Sequence, residues 1–568
     1  MGRRGGRFLG LALALGAALY AAEEPIPPRA DMIFVNGRVW TGDPAKPTAQ
    51  AIAVRGTRIL KVGSDLEVAR HSGPGTLLTD FKGKWVYPGF IDSHIHFLVL
   101  DELDLSAFEN AADIQQALVA WAKAHPESPW IVGRGWQAGA FAKGGPSRAV
   151  VDAVLPGRPV FLNDRDGHTA LVNSRALELA GISRQTADPP NGIVVKDAKG
   201  EPTGLLKEAA MDLVDALIPP PNPEERYRAL KQRLDLAASY GLTSVHQASF
   251  PGEDLATYER VLDEGGLKVR FYVAIPFRKD PSDEDFERWE ALRRGFEGDR
   301  FRFGSAKGML DGVVDMKTAS MFEPYVGGGN GLPMWAQGEV NAAAVEYDRR
   351  GWQVMLHAVG DKAIRMALDA YEHVERTNGP RDRRFRVEHA EVPQLSDLQR
   401  FKQLGVIAST QALFANPDKT TLENFAVLLG PERASRADSF RRFDDAGVRQ
   451  AFGSDSPVFS MEVLRGIYCA VTRRTPAGQP ADGWYPEGRI SVEAALRHFT
   501  SDGAYASFDE ANKGVLAEGR LADLVVLSDD ILEPPAERIL KAKVLLTVVG
   551  GQETHRAADF PRDPKSEK

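Results

Sequence analysis

The sequence predicts an α/β fold: a (β/α)8 TIM-like barrel with an inserted subdomain, joined to a small composite β-sandwich domain built from both chain ends. Three observations lead there. The middle of the chain alternates short apolar strands with longer helical stretches, the pattern of parallel α/β architecture. From Val86 onward eight strand candidates follow one another, the number that closes such a barrel. The two ends read instead as short strands broken by turns, and neither end holds enough of them to bury a core alone.

The 568-residue chain begins with Arg3, Arg4 and Arg7, followed by an almost wholly apolar stretch from Phe8 to Leu19 and then Ala21 and Ala22. This is the charged head, apolar core and small-residue exit of a secretory signal over 1–22, too short to span a bilayer comfortably. An exported protein, periplasmic or secreted, is expected, with no stable membrane insertion after cleavage. The exit is imperfect, with Leu19 or Tyr20 three residues before the cut, so an uncleaved anchor stays open as the other reading. Basic residues number 70 against 78 acidic ones, a formal charge of −8. That balance argues against nucleic acid as a partner and leaves a small-molecule substrate; a homo-oligomer is compatible with it. Cys469 is the sole cysteine, which excludes an intrachain disulfide and a cysteine-rich zinc ribbon. Any metal must then be held by nitrogen and oxygen.

Met32–Val35 meets Asn36-Gly37, a strong hairpin signal, before Arg38–Thr41. The segments 51–54 and 59–62 repeat the arrangement, and 522–527 and 544–549 are again strands. The composite domain is therefore expected over 30–85 plus 510–555, with the barrel over 86–509. Its strands are expected at 86–96, 243–248, 269–275, 301–307, 353–358, 385–390, 406–411 and 449–454. Between the first two lie far more residues than a crossover helix needs, so an insertion is expected from about 100 to 225, on the face where barrel chemistry occurs.

His94 and His96 are two apart, and alternate strand residues point the same way. Two such imidazoles can share one cation, although an H-x-H alone is weak evidence. Other strand ends strengthen it: Lys307, His357, His389 and Asp455 each follow an apolar run, and the C-terminal ends of barrel strands converge on one mouth. Without a ligand, so many polar groups around one opening are disfavoured by desolvation.

The ordered set resembles the amidohydrolase superfamily, and more closely its branch similar to N-substituted formamide deformylase. The resemblance rests on Pro88–His96, Gly133–Trp136, Asp166–Leu177, Lys307 with Asp311-Gly312, His357–Ala363, Arg386–Ala390, Gly453–Val458 and 513–527. It implies the barrel, the composite domain and hydrolysis with a divalent metal. His94 and His96 would bind a first ion with Asp455 near it, and His357 and His389 would complete a second or a shared site. It also suggests that Lys307 is carboxylated and bridges two ions; the rival is one ion, with Lys307 a plain amine and Glu208 a further oxygen ligand. Zinc is the first expectation from imidazole and carboxylate ligands, with manganese, iron and cobalt open. A divalent ion lowers the pKa of bound water towards ~7, and Asp455 would shuttle its proton to the leaving nitrogen.

His168 and His246 resemble family positions near the substrate, against the alternative of buried structural hydrogen bonding. Arg134 and Trp136 are expected to line the pocket, with core packing the alternative for Trp136. The function expected first is an exported hydrolase of a C–N bond in an amide, N-formyl or cyclic amide. The alternatives are an aminohydrolase (deaminase) with a single metal and a catalytically silent binding protein that keeps the metal as structure.

Overall fold

The computed structural model describes residues 28–100, 102–141 and 145–560; the leader read over 1–22 lies outside them. Near the start of that range, Met32–Val35 pairs antiparallel with Ala51–Arg55 and parallel with Leu77–Asp80. Arg58–Gly63 completes this four-stranded sheet. A second, six-stranded sheet runs Gln552–Arg556, Val544–Val549, Leu524–Leu527, Trp85–Pro88, Arg38–Trp40 and Thr48–Ala49. Three strands from the C-terminal end and three from the N-terminal end thus share it, meeting where Leu524–Leu527 pairs antiparallel with Trp85–Pro88. Period-2 alternation explains why it is buried on both sides. Val86, Leu524 and Val526 meet Phe34, Ile52 and Val54 between the sheets, while Tyr87, Val525 and Leu527 join the barrel's hydrophobic cluster.

The barrel consists of β1 (Phe90–Ile95), β2 (Leu242–Gln247), β3 (Arg270–Pro276), β4 (Phe301–Met309), β5 (Gln353–Ala358), β6 (Arg386–His389), β7 (Ile407–Gln411) and β8 (Gln450–Gly453). Each pairs in parallel with the next. The single strand expected over 86–96 is two: Trp85–Pro88 belongs to the sandwich and β1 to the barrel. The break falls at Gly89, where a Cβ would lie 2.2 Å from Thr243 Cγ2, so only glycine lets the chain pass between the two layers.

Helices cover the strands with apolar stripes. The helix Asp361–Asn378 buries Ala363, Ile364, Ala367, Leu368, Tyr371 and Val374, spaced three and four apart as one helical face requires. Pro223–Ser239 starts at a capping box in which Asn222 and Glu225 satisfy each other's backbone N–H groups. Between β1 and that helix lies a mixed six-stranded sheet: Gly192–Lys196, Pro202–Glu208, Thr169–Val172, Val160–Asp164, Ile131–Trp136 and Leu103–Asp104. Leu162 and Leu171 bury one of its faces and Phe161, Ala170 and Val172 the other. Among the described residues no helix is long and apolar enough to cross a membrane.

The ring closes where the chemistry sits. The Asp455 N–H donates to the His94 carbonyl at 2.8 Å, and the His96 N–H to the Ser456 carbonyl at 2.9 Å. A Cβ at Gly453 would lie 2.5 Å from the His94 nitrogen. That neighbour is backbone and has no room to rotate away. Gly453→Ala is expected to cost about 1–3 kcal/mol as an overpacked contact, read by urea unfolding; wild-type stability in that variant would show that β1 and β8 are not in close register.

Candidate metal centre

β6 holds the key to the site's electrostatics. Arg386 and Glu388 are two apart and share a face, both fully buried. Arg386 Nε lies 2.8 Å from Glu388 Oε1, and Nη2 donates to Oε2 at 2.9 Å. The same guanidinium donates to the Ser93 carbonyl, to Ser409 Oγ at 2.7 Å and to His246 Nδ1 at 3.1 Å. Burial opposes ionisation of Glu388, but Arg386 foremost, then His94 and Lys307, hold its carboxyl far below the usual range. Glu388 accepts the Nδ1–H of His94. This fixes the tautomer and turns the Nε2 lone pair towards the barrel mouth, the way a carboxylate orients a metal-ligating histidine.

His94 Nε2 lies 3.3 Å from Asp455 Oδ1, and His96 Nε2 lies 3.2 Å from the same oxygen. His389 Nδ1 is 4.0 Å from Asp455 Oδ2 and 2.9 Å from Gln411 Oε1. The His389 ring centroid is 4.8 Å from that of His94 and 4.6 Å from that of His357. Donor atoms of His94, His389 and Asp455 all lie within 4.8 Å of one another. His94 Nε2 and Asp455 Oδ1 are buried and have no hydrogen-bond partner, an expensive arrangement unless a ligand completes it. His389 and Asp455 both hold left-handed backbone, with φ of 71° and 57°, strain of a kind that collects at functional sites.

Charge follows geometry. Burial, then the neighbouring cations, pulls His389 down to about 3 and His357 far below its ordinary value. Burial also lowers His96. These imidazoles are neutral, as ligation requires. Asp455 is held well below the carboxylate range: burial works against this, but His94 foremost, then His96 and His389, outweigh it. His94 is raised because Glu388 and Asp455 together outweigh burial and Lys307. Imidazoles lowered at His96, His357 and His389, an anionic carboxylate and two orphaned buried atoms fit a divalent cation held by nitrogen and oxygen.

The mouth opens into a cavity of about 710 Å³ lined by His96, Lys307, His357, His389 and Asp455. Lys307, in β4, makes no ion pair or side-chain hydrogen bond among the described residues, and burial lowers its pKa. His357 Nε2 lies 3.2 Å from the Gly312 carbonyl. Asp311 beside it accepts the N–H groups of Ser320, Val359 and Gly360. The inserted sheet delivers His168 and Glu208 to the opposite wall, with His168 Nδ1 2.9 Å from Glu208 Oε2. Against burial, Glu208 foremost raises His168 to about 9. Glu208 Oε1 is buried with no hydrogen-bond partner, and the His168 ring lies 5.2 Å from that of His357. Arg134 also lines the cavity, held by Asp104 at 3.3 Å.

Two expected substrate contacts stand elsewhere. Trp136 is fully buried in the insertion's core, its Nε1–H donating to the Leu162 carbonyl at 2.7 Å. Strand alternation would put it beside Arg134, but the ladder shifts between Gly133 and Trp136 around Gly135, whose φ is +89°. That bulge turns the indole away. His246 is 1% exposed, in contact with Arg386 and edge-on to Tyr272 at 5.4 Å. It supports the guanidinium and does not line the cavity.

The sequence alone assigns Glu388, Arg386 and Gln411 no site role, although they orient the histidines. A signal for the first two was present: opposite charges at i and i+2 in a strand otherwise made of buried residues.

Residues 78–555 match the profile of the amidohydrolase family. The chain is 33% identical over 545 residues to the Arabidopsis thaliana protein LONG AFTER FAR-RED 3, covering 93% of this chain and 92% of that one. It is 29% identical to N-substituted formamide deformylase of Arthrobacter pascens, covering 92% and 97%. The fold is similar to the crystal structure of an uncharacterized metal-dependent hydrolase from Pyrococcus furiosus, with a TM-score of 0.66, 25% identity and coverage of 88% of this chain and 100% of that one. A profile spanning most of the chain, an eight-stranded parallel barrel and a histidine–aspartate group at its mouth agree: the chain belongs to the amidohydrolase family.

Proposed function

We propose that this protein is a metal-dependent hydrolase that cleaves the C–N bond of a small amide, N-formyl or cyclic amide substrate, with Asp455 as proton shuttle. The observation carrying this reading is Asp455 itself, an ionised carboxylate at the floor of the cavity whose Oδ1 faces two imidazole nitrogens. His94, His96, His389, His357 and Asp455 would hold the metal. A bound divalent cation, zinc by its ligand set, supplies Lewis-acid polarisation of the carbonyl and a lowered pKa for water. Asp455 accepts a proton from the attacking water and returns it to the leaving nitrogen. Glu388 keeps His94 in one tautomer throughout, and the walls carrying His168 and Arg134 orient the substrate.

The relative named as a deformylase supports an N-formyl or related amide. The amine of Lys307, without a direct ion pair among the described residues and lowered in pKa by burial against the pull of Glu388 and Asp455, supports carboxylation by CO₂, which needs the neutral amine. The charged and apolar leader over 1–22 supports export. A second reading, a single-metal aminohydrolase, is favoured by one observation: among the described residues, only His94, His389 and Asp455 bring their donor atoms together.

Metal analysis of the purified protein, intact mass under native conditions and a panel of N-acyl, N-formyl and lactam substrates test these readings together. The expected result is bound zinc, one CO₂ added at Lys307, and turnover abolished by a chelator. One equivalent of metal, no CO₂ and release of ammonia would favour the aminohydrolase. No turnover at full metal occupancy would sink the hydrolase reading and leave a binding protein.

A further inference from the structure

Besides its histidines the cavity wall carries many carboxylates. Asp164, Asp166, Asp315, Glu391 and Asp438 all line it. One guanidinium, Arg165, is shared between Asp166 at 3.3 Å, Asp315 at 3.3 Å and Asp418 at 3.0 Å. It is thus already outnumbered. Glu391 and Asp438, 6% and 5% exposed, have no ion pair or side-chain hydrogen bond among the described residues. Their backbones are tied together by the Asp438 N–H donating to the Glu391 carbonyl at 2.9 Å. Asp164 is 2% exposed; its Oδ1 accepts two backbone N–H groups, but Oδ2 is buried and has no partner. None of the three makes a direct ion pair among the described residues: Arg473 lies near Asp438 and His168 near Asp164, while the charges around Glu391 are other carboxylates. Nearly buried carboxylates so placed are costly to the free protein and call for a ligand.

We infer that this wall binds an organic cation, an ammonium or guanidinium group carried by the substrate away from its scissile bond. The inference rests on the hydrolase reading for the word substrate, but the cation site stands on its own residues. A second metal is the competing occupant. The carboxylates are distributed around a wide cavity, and among the described residues no acidic group here brings three donor atoms within 4.8 Å of one another, as His94, His389 and Asp455 do. Such a dispersed set suits a group several ångströms across that donates hydrogen bonds to several sides. Burial, with repulsion from Asp166, raises Asp315 to about 8 against the pull of Arg165, and burial raises Asp438 to about 7 against that of Arg473.

Matched amides differing only in a distal ammonium or an isosteric neutral group test the inference in the metal-loaded protein. Wild type is expected to favour the cationic member by roughly tenfold or more in kcat/KM, and Asp438→Asn and Glu391→Gln to shrink that ratio by roughly the same factor. The ratio is the readout, because a general loss of packing lowers both substrates together. Calorimetry with an alkylguanidinium probe reads the site without turnover: binding in wild type, weakened in either variant, is expected even if no amide is hydrolysed. Equal kcat/KM for the two members, an unchanged ratio in both variants, or binding of magnesium or calcium but no guanidinium at this wall would overturn the inference.

Discussion

Asp455→Asn is expected to lower kcat by roughly 10²- to 10⁴-fold, the range general acid–base catalysis supplies, with a much smaller change in KM. Asparagine keeps the size of the side chain and one oxygen towards His94 and His96, so the local packing survives. It cannot take a proton from water. The wild-type carboxylate can, because the imidazoles around it keep it ionised against burial. Its position is also enforced: the N–H of Asp455 is tied to the His94 carbonyl at 2.8 Å, so the side chain cannot drift from the histidines without opening the seam between β1 and β8. Asp455 also stands among the proposed ligands, so metal content must be measured beside the rate. The variant should be assayed at saturating metal, where a loss of affinity no longer contributes. Wild-type kcat at equal occupancy would refute the shuttle and leave Asp455 only a ligand.

Much of this was legible before the structure, for a physical reason. Apolar strand runs ending in His357, His389 and near Asp455 carry both the fold and the site, because barrel geometry makes a strand's end and the mouth the same place. What escaped depends on contacts between distant segments. Glu388 matters because β6 lies opposite β1 in the ring, 294 residues away in sequence. Trp136 takes the core-packing alternative because a one-residue bulge reverses the side on which it emerges. His246 takes the alternative of buried hydrogen bonding, because strand position alone does not tell that Arg386 engages its ring. Gly89 broke the first strand because a single missing Cβ allows the chain to change layers. The acidic wall joins loops of the inserted sheet to loops after β4, β6 and β7, and no spacing in the sequence records that assembly.

Glu388→Gln tests the orientation of the first histidine. The amide keeps the shape but loses the charge that draws the Nδ1–H of His94 and answers Arg386. Metal affinity is expected to fall 10- to 100-fold, the usual effect of removing the partner behind a ligating histidine, measured by competition with a chromogenic chelator. Stability should fall with it by about 3–5 kcal/mol, because Arg386 then remains buried without its countercharge. The pH dependence separates this from a packing defect. Glu388 titrates below its unfolded value of about 4.3, so its ionised form stabilises the fold above that pH, and the contribution is lost as pH falls through the acid range. The gap between wild type and Glu388→Gln in urea unfolding of the metal-free protein should therefore be widest near neutrality and narrow below pH ~4. A gap that stays constant through the acid range would mean that the substitution disturbs packing alone, and that the Arg386–Glu388–His94 chain does not set the charge at the metal centre.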